Sequence, residues 1–122
     1  DATVFCPQWE GQMDTVIADV PCSGLGIIGK KPDIKYKDYD IVSLRETQYK
    51  ILENGSQYLK KGCLLVYSTC TLDCRENEEQ VNRFLKEHPD FHLDKTVFKN
   101  GMETYLPDGS TDGFFIAALR KD

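Results

Sequence analysis

The fold is decided by the stretch Thr15-Val16-Ile17-Ala18-Asp19-Val20-Pro21-Cys22-Ser23-Gly24, from which the remaining predictions follow. Its short apolar run, Val16 to Ala18, has the pattern of a strand that a parallel sheet covers on both faces. Asp19 stands where this run stops, and open α/β sheets place their ligand crevices at the carboxyl ends of strands. Pro21 has a fixed φ and no amide hydrogen, so Cys22 is predicted to begin a loop. We therefore expect a buried strand that ends on an acid and is followed by a thiol.

A second strand lies downstream, with a helix between the two. The apolar run Cys63 to Ser68 predicts another buried strand. The helix is predicted from about Ser43 to Lys61, because Ser43 and Glu46 have the spacing of a capping box and Gly62 suits the position that follows a helix. Strand, helix and strand make a βαβ unit, whose two strands pair in parallel.

Each of these strands leads to a cysteine. Cys70 comes just past the second strand, as Cys22 comes just past the first. If the strands are neighbours, both thiols emerge at the same edge of the sheet, with Asp19 beside them. A second helix is predicted from Asp73 to about Glu87, and the amino end of a helix lowers the pKa of a nearby thiol. A thiolate beside a carboxylate and a second thiol suits covalent catalysis on an electrophilic carbon.

The end of the chain predicts a different strand arrangement. Two further strands are predicted, Phe91 to Phe98 and Phe114 to Leu119, with a turn-rich loop over Asn100 to Asp112 between them. Strands with no helix between them favour antiparallel pairing. The predicted fold class is therefore α/β, with parallel strands and an antiparallel terminal hairpin, in one domain that spans residues 1–122.

Composition narrows the function classes. The net charge of −5 argues against binding nucleic acid by surface charge alone. No apolar run approaches the roughly 18 residues of a membrane span, so no membrane association is expected. Five cysteines without the spacing of a disulfide framework favour reduced thiols in a cytoplasmic protein.

Less specific interpretations of the cysteines stay open. Cysteine is common in protein cores, and Cys6, Cys63 and Cys74 are expected to be core residues only. A zinc site of Cys22, Cys70 and Cys74 lacks the short paired spacing of zinc ligands, so no metal is expected. A redox pair is the third interpretation, although the chain has no Cys-x-x-Cys motif.

Four stretches along the chain form a set: Asp19-Val20-Pro21-Cys22-Ser23-Gly24-Leu25-Gly26, Gly29-Lys30-Lys31-Pro32-Asp33-Ile34-Lys35-Tyr36, Val66-Tyr67-Ser68-Thr69-Cys70-Thr71-Leu72 followed by Glu76-Asn77-Glu78, and Asp112-Gly113-Phe114-Phe115-Ile116-Ala117. In content and order they resemble the motifs of the RNA 5-methylcytosine methyltransferases of the Sun family. The resemblance is strongest to the bacterial Sun/Fmu branch, which methylates cytosine in small-subunit ribosomal RNA. The second stretch resembles a basic loop of the family. Its lysines, otherwise typical of a solvated loop, are therefore candidate RNA phosphate contacts: Lys30, Lys31 and Lys35.

The resemblance implies a fold, a cofactor and four site residues. The fold is the carboxyl-terminal half of a Rossmann-like class I methyltransferase domain, the cofactor is S-adenosylmethionine and the partner is small-subunit ribosomal RNA. Cys70 is implied to be the nucleophile that adds to carbon 6 of cytosine, and Cys22 to assist the later elimination. Asp19 is implied to lie between the cofactor and the base, and Asp1 to contact the adenosine of the cofactor.

Other family features have no counterpart in residues 1–122. These are the glycine-rich cofactor loop, the acid that holds the ribose and the amino-terminal RNA-binding region. We therefore expect a fragment that binds the cofactor weakly, turns over little by itself and self-associates through an exposed edge strand. A non-catalytic RNA-binding or assembly module with the same fold is the main alternative, and a thiol redox domain is another.

Overall fold

A five-stranded sheet is the frame of the structure, a computed structural model that describes residues 1–24, 40–108 and 112–122. The helices and strands follow one another as β1 (Met13–Asp19), α1 (Ile41–Tyr58), β2 (Leu59–Thr69), α2 (Glu78–Glu87), β3 (Phe91–Leu93), β4 (Met102–Tyr105) and β5 (Phe114–Lys121). The strand order is β1-β2-β5-β3, and β4 also pairs with β5.

The predicted βαβ unit is confirmed. β1 and β2 pair in parallel, with Thr15 opposite Leu64 and Asp19 opposite Ser68. Helix α1 connects them and packs against both strands. It lies close to β1 because Gly55 has no side chain: a Cβ there would lie 3.1 Å from the Cγ1 of Val16.

Strand β1 is less buried than predicted, because it is not covered on both faces. Of its seven residues only Ala18 is buried, and Ile17 is 70% exposed. Among the described residues, α1 is the helix that packs on β1. The side chains that point away from α1 therefore stay uncovered within that part of the chain.

The antiparallel terminal hairpin is also confirmed, with one strand more than predicted. β5 lies antiparallel to β2, and both β3 and β4 pair antiparallel with its other edge. The predicted strand from Phe91 ends early, at Leu93, because the Asp94 carboxylate accepts hydrogen bonds from the backbone amide and the hydroxyl of Thr96 and so turns the chain. β4 forms within the stretch predicted as a loop.

Helix α1 begins two residues before its predicted start and ends three residues before its predicted end, and its N-cap residue is different. Asp40, not Ser43, is the N-cap residue, and its carboxylate accepts a hydrogen bond from the Ser43 amide at 3.1 Å. Glu46 does not close a capping box but pairs with Arg83 on α2 at 2.8 Å. Gly62 does not follow the helix; it lies inside β2 at φ +80°, where the pairing with β1 shifts register.

Helix α2 begins at Glu78 rather than at Asp73. The Asp73 carboxylate accepts from the Arg75 amide and forms an ion pair with its guanidinium, so it caps a turn and not the helix. The helix packs Val81 and Phe84 into the core.

The hydrophobic core lies between the sheet and the two helices. Its buried members are Ala18, Val20, Tyr49, Leu52, Leu59, Leu65, Tyr67, Val81, Phe84, Phe91, Phe115, Ala117 and Leu119. Within the described part of the chain, neither helix has the length and apolarity needed to cross a membrane.

Candidate active site

Two thiols meet at one edge of the sheet. The Sγ atoms of Cys22 and Cys70 lie 3.1 Å apart, and the Cys70 amide donates to the Cys22 sulfur at 3.4 Å. The contact arises because β1 and β2 are parallel neighbours, so the loops that follow them leave from the same end of the sheet. Both cysteines are partly exposed. The predicted meeting of these side chains is confirmed.

Asp19 lies at the same end of the sheet. It is the last residue of β1, its side chain is exposed, and its Oδ1 accepts a hydrogen bond from the Ser68 hydroxyl at 2.9 Å. Ser68 is its register partner on β2 and is buried. The hydroxyl therefore fixes the direction of the carboxylate and leaves it open to a ligand.

The environment of Cys22 favours its protonated form. Burial, and to a lesser extent the hydrogen bond with Cys70, raise the pKa of the Cys22 thiol to about 12. Desolvation has this effect because a thiolate loses more hydration than a neutral thiol does. At pH 7 Cys22 is therefore protonated, and its S–H can be donated to the sulfur of Cys70.

A buried carboxylate lies under the loop that carries Cys22. Glu76 has no exposed surface, and its Oε1 accepts from the Ser23 amide at 2.8 Å and from Gln48 Nε2 at 2.9 Å. Its Oε2 accepts from the Ser23 hydroxyl at 2.6 Å. Sequence reasoning missed this role, because the spacing of Asp73 and Glu76 matches a capping box. The only sequence signal is the presence of Glu76 just past the Cys70 motif.

The loop around Cys70 is held on both sides. The Thr69 hydroxyl donates to Asn77 Oδ1 at 2.6 Å, and Asn77 Nδ2 donates to the Thr71 carbonyl at 2.9 Å. The Thr71 hydroxyl also lies 2.7 Å from the hydroxyl of Ser23. All these side chains are buried, so the two loops share one polar network beneath the thiols.

The start of α2 does not support the thiol pair as predicted. Because the helix begins at Glu78, a turn over residues 74–77 separates it from Cys70. Asn77 faces Thr69 and Thr71 instead of capping the helix. The prediction that the amino end of α2 lies next to Cys70 is therefore wrong.

Asp1 lies at a separate place. Its Oδ1 accepts from the amide and the hydroxyl of Thr3, and no hydrogen bond of the described residues links it to the thiol pair. It lines a surface cavity of about 530 Å³ together with Ala2, Val4, Cys6, Trp9 and Tyr58. The predicted RNA contacts, Lys30, Lys31 and Lys35, lie outside the described residues.

The remaining cysteines show no shared site. Cys63 packs against the core and Cys6 is partly buried, but Cys74 is exposed, contrary to the prediction that it is a core residue. Among residues 1–24, 40–108 and 112–122, no three His, Cys, Asp or Glu side chains cluster in a way that could hold a metal ion.

Fold and site together define a partial Rossmann-like α/β domain whose functional groups stand at the carboxyl ends of two parallel strands. The family model for 16S rRNA methyltransferase RsmB/F matches residues 1–120. The chain therefore belongs to this methyltransferase family.

Curated relatives carry matching descriptions. A probable ribosomal RNA small subunit methyltransferase B of Bacillus subtilis is 44% identical over 90% of this chain. A ribosomal RNA small subunit methyltransferase B of Klebsiella pneumoniae is 39% identical over 96% of it. In both cases the chain spans only 28% of the relative's length.

Solved structures show the same architecture. A crystal structure of PH0851 matches 92% of this chain with a TM-score of 0.83 at 35% identity, and the match covers 27% of that protein. A structure of NSun6 from Pyrococcus horikoshii with SFG matches 86% of the chain with a TM-score of 0.71 at 30% identity, which is 29% of that protein.

Proposed function

We propose that this chain is the carboxyl-terminal part of a methyltransferase domain that methylates carbon 5 of a cytosine in small-subunit ribosomal RNA. The observation that carries the proposal is the contact of 3.1 Å between the Cys22 and Cys70 sulfurs, just past the carboxyl ends of two parallel strands, in a chain of the RsmB/F family. The descriptions of the curated relatives support ribosomal RNA as the substrate.

Cys70 is the proposed nucleophile. Carbon 5 of cytosine is a poor nucleophile until a thiolate adds to the neighbouring carbon 6. The new bond between the Cys70 sulfur and carbon 6 sends an electron pair toward carbon 5, which then takes the methyl group. Carbon 5 next loses its proton to solvent, and the bond between sulfur and carbon 6 breaks to release Cys70.

Cys22 and Asp19 are proposed to assist. The raised pKa of Cys22 keeps its proton in place, so its S–H can stabilise the negative charge that returns to the Cys70 sulfur during elimination. Asp19 is held by Ser68 and stays exposed at the end of β1. Its carboxylate would stabilise the pyrimidine ring in its protonated form.

The cavity beside Asp1 fits the adenosine end of S-adenosylmethionine. Its lining is mostly apolar, with Val4, Trp9 and Tyr58, and Asp1 supplies an acceptor. A flat purine ring is bound by such a combination of apolar walls and a few polar groups. When bound, this cofactor supplies an electrophilic methyl group. The NSun6 neighbour carries SFG, an analogue of S-adenosylmethionine, which supports the same cofactor here.

The RNA substrate requires a further step. A base inside a folded RNA is stacked and cannot reach a crevice of this kind until it leaves the stack. Because the net charge of the chain is −5, we propose that local basic groups, Lys30, Lys31 and Lys35, contact the phosphates.

The test uses the longer methyltransferase that carries this segment and an RNA with 5-fluorocytosine at the target position. Fluorine at carbon 5 blocks the elimination, so the adduct between Cys70 and the base accumulates. We expect Cys70→Ala to abolish the adduct, while Cys22→Ala retains it. Cys74→Ala is the matched control, because Cys74 is exposed and lies outside the thiol pair. An adduct that survives Cys70→Ala contradicts the assignment.

The 122-residue chain by itself is proposed to be nearly inactive. It spans 28% of its curated relatives, and the glycine-rich loop expected for the family has no counterpart in the sequence. Calorimetry with S-adenosylmethionine is expected to show little binding to this chain, and micromolar affinity would contradict the proposal.

A further inference from the structure

Glu76 is a buried carboxylate that the proposed chemistry does not use. It has no exposed surface, and none of the ion pairs among the described residues involves it. A buried carboxylate without a cation is costly unless hydrogen bonds replace the lost hydration. Its three side-chain hydrogen bonds supply that replacement, and all three donors belong to Ser23 or Gln48.

These contacts join segments that are distant along the chain. Ser23 directly follows Cys22, whereas Glu76 lies 53 residues later, past Cys70. Gln48 belongs to α1 and also donates to the Pro21 carbonyl at 3.0 Å. The backbone carbonyl of Glu76 accepts from the buried Tyr67 hydroxyl at 2.6 Å. One residue therefore links the Cys22 loop, a helix and the strand that leads to Cys70.

We infer that Glu76 is a positioning residue that holds the Cys22 loop against the Cys70 loop and so keeps the two sulfurs in contact. Its role in catalysis rests on the proposed function, but its role in the geometry does not. Without the carboxylate, the Ser23 amide and hydroxyl and Gln48 Nε2 lose their shared acceptor. Buried donors without an acceptor are unfavourable, so the loop would move toward water and carry Cys22 away from Cys70.

The substitution Glu76→Gln removes the carboxylate but keeps a side chain that can form hydrogen bonds to Ser23 and Gln48. Its carbonyl oxygen can take the place of Oε1 and accept from the Ser23 amide and Gln48. Its NH2 group then faces the Ser23 hydroxyl, which can accept if it turns its own proton toward Thr71, 2.7 Å away. We therefore expect Glu76→Gln to keep the loop in place, whereas Glu76→Ala does not.

The test measures how fast the two sulfurs can be joined, without any substrate. The folded longer methyltransferase that carries this segment is treated with diamide, which takes two hydrogens from the thiols as they form a disulfide. Mass spectrometry then follows the peptide pair that contains Cys22 and Cys70. We expect Glu76→Ala to slow this disulfide by about tenfold or more, because small misplacements of reacting atoms have large effects on rate. Glu76→Gln should stay within about threefold of the wild type.

Asp94→Ala is the matched control. Asp94 is also a buried, hydrogen-bonded carboxylate, but it binds Thr96 and Arg120, away from the thiol loops. Its loss destabilises the fold without touching the network, so the disulfide should form at nearly the wild-type rate. Should Glu76→Ala fail to fold, the disulfide rate of Ser23→Ala is the deciding measurement, because this variant removes only the hydroxyl that donates to Glu76. A wild-type rate in the deciding variant overturns the inference.

The 5-fluorocytosine adduct separates this inference from the proposed function. If the wild type forms no adduct while Glu76→Ala slows the disulfide, the function fails and the positioning role stands. If the wild type forms the adduct and Glu76→Ala forms both adduct and disulfide at the wild-type rate, the function stands and the positioning role is overturned.

Discussion

At the scale of single residues, the two sulfurs in contact have different proposed roles. Burial raises the pKa of the Cys22 thiol, and its hydrogen bond with Cys70 acts in the same direction. A sulfur that keeps its proton is a poor nucleophile but a good hydrogen-bond donor to a thiolate. In the reaction proposed above, Cys22 thus supplies a hydrogen-bond donor to the Cys70 sulfur when that sulfur leaves the substrate.

Alkylation of the thiols tests the raised pKa of Cys22. Because its thiolate forms only near pH 12, the rate of its reaction with iodoacetamide should rise about tenfold for each pH unit between about pH 7 and pH 10, without a plateau. Mass spectrometry of the labelled peptides gives the rate for each cysteine. The exposed Cys74 serves as the internal reference for reagent and protein integrity. A plateau of the Cys22 rate below about pH 9 contradicts the prediction.

The sequence predicted that Cys22, Cys70 and Asp19 lie at the same end of the sheet because strand ends can be located from apolar runs. It did not predict Glu76, because a carboxylate three residues after Asp73 has the spacing of a capping box. Which of the two roles it takes depends on Ser23, to which it is joined only in the folded chain. Local spacing carries no information on such a distant partner.

At the scale of elements, the connection between β3 and β4 depends on one glycine. Gly101 has φ +78°, its amide donates to the Phe98 carbonyl at 2.8 Å, and its carbonyl accepts from the Ala118 amide at 2.9 Å. A Cβ built on it would lie 2.4 Å from the Cβ of Leu93. The turn therefore requires both a left-handed backbone and the absence of a side chain.

Gly101→Ala should lower the free energy of unfolding by about 2–4 kcal/mol, the sum of left-handed strain and a steric clash. Gly11→Ala is the matched control: its φ is +62°, but nothing lies within 4 Å of the added Cβ. Only the strain remains there, so a loss of about 1–2 kcal/mol is expected. Urea denaturation followed by circular dichroism measures both values. Equal losses in the two variants would show that the contact with Leu93 has no energetic effect.

The elements that sequence patterns predicted well are those with a strong apolar period. β1, β5 and both helices were found in this way, although α2 starts at Glu78 instead of Asp73. β4 was missed because Met102–Tyr105 is short and mostly exposed, so it has no buried face to reveal it. It becomes a strand by pairing with β5, and a partner strand is not visible in a local window.

At the scale of the whole molecule, the sheet has an open side at β1. Within the described residues β1 pairs with β2 alone, and its Ile17 side chain is 70% exposed. An unpaired strand edge offers amide and carbonyl groups to another chain. We therefore propose that the isolated chain self-associates through this strand.

Ile17→Lys should weaken that association, because a charge on an edge strand opposes pairing with a second copy. Val42→Lys is the matched control, since Val42 on α1 is also 70% exposed but lies off the sheet. Sedimentation equilibrium over a range of concentrations gives the mass of each variant. Association that Ile17→Lys leaves unchanged would place the contact elsewhere.

The long separation between Ser23 and Glu76 has a consequence for synthesis of the chain. Ser23 leaves the ribosome 53 residues ahead of its acceptor. During that interval the loop that carries Cys22 lacks the carboxylate that binds the Ser23 amide and hydroxyl. A product terminated before Glu76 would thus contain both thiols without the buried acceptor that joins their loops.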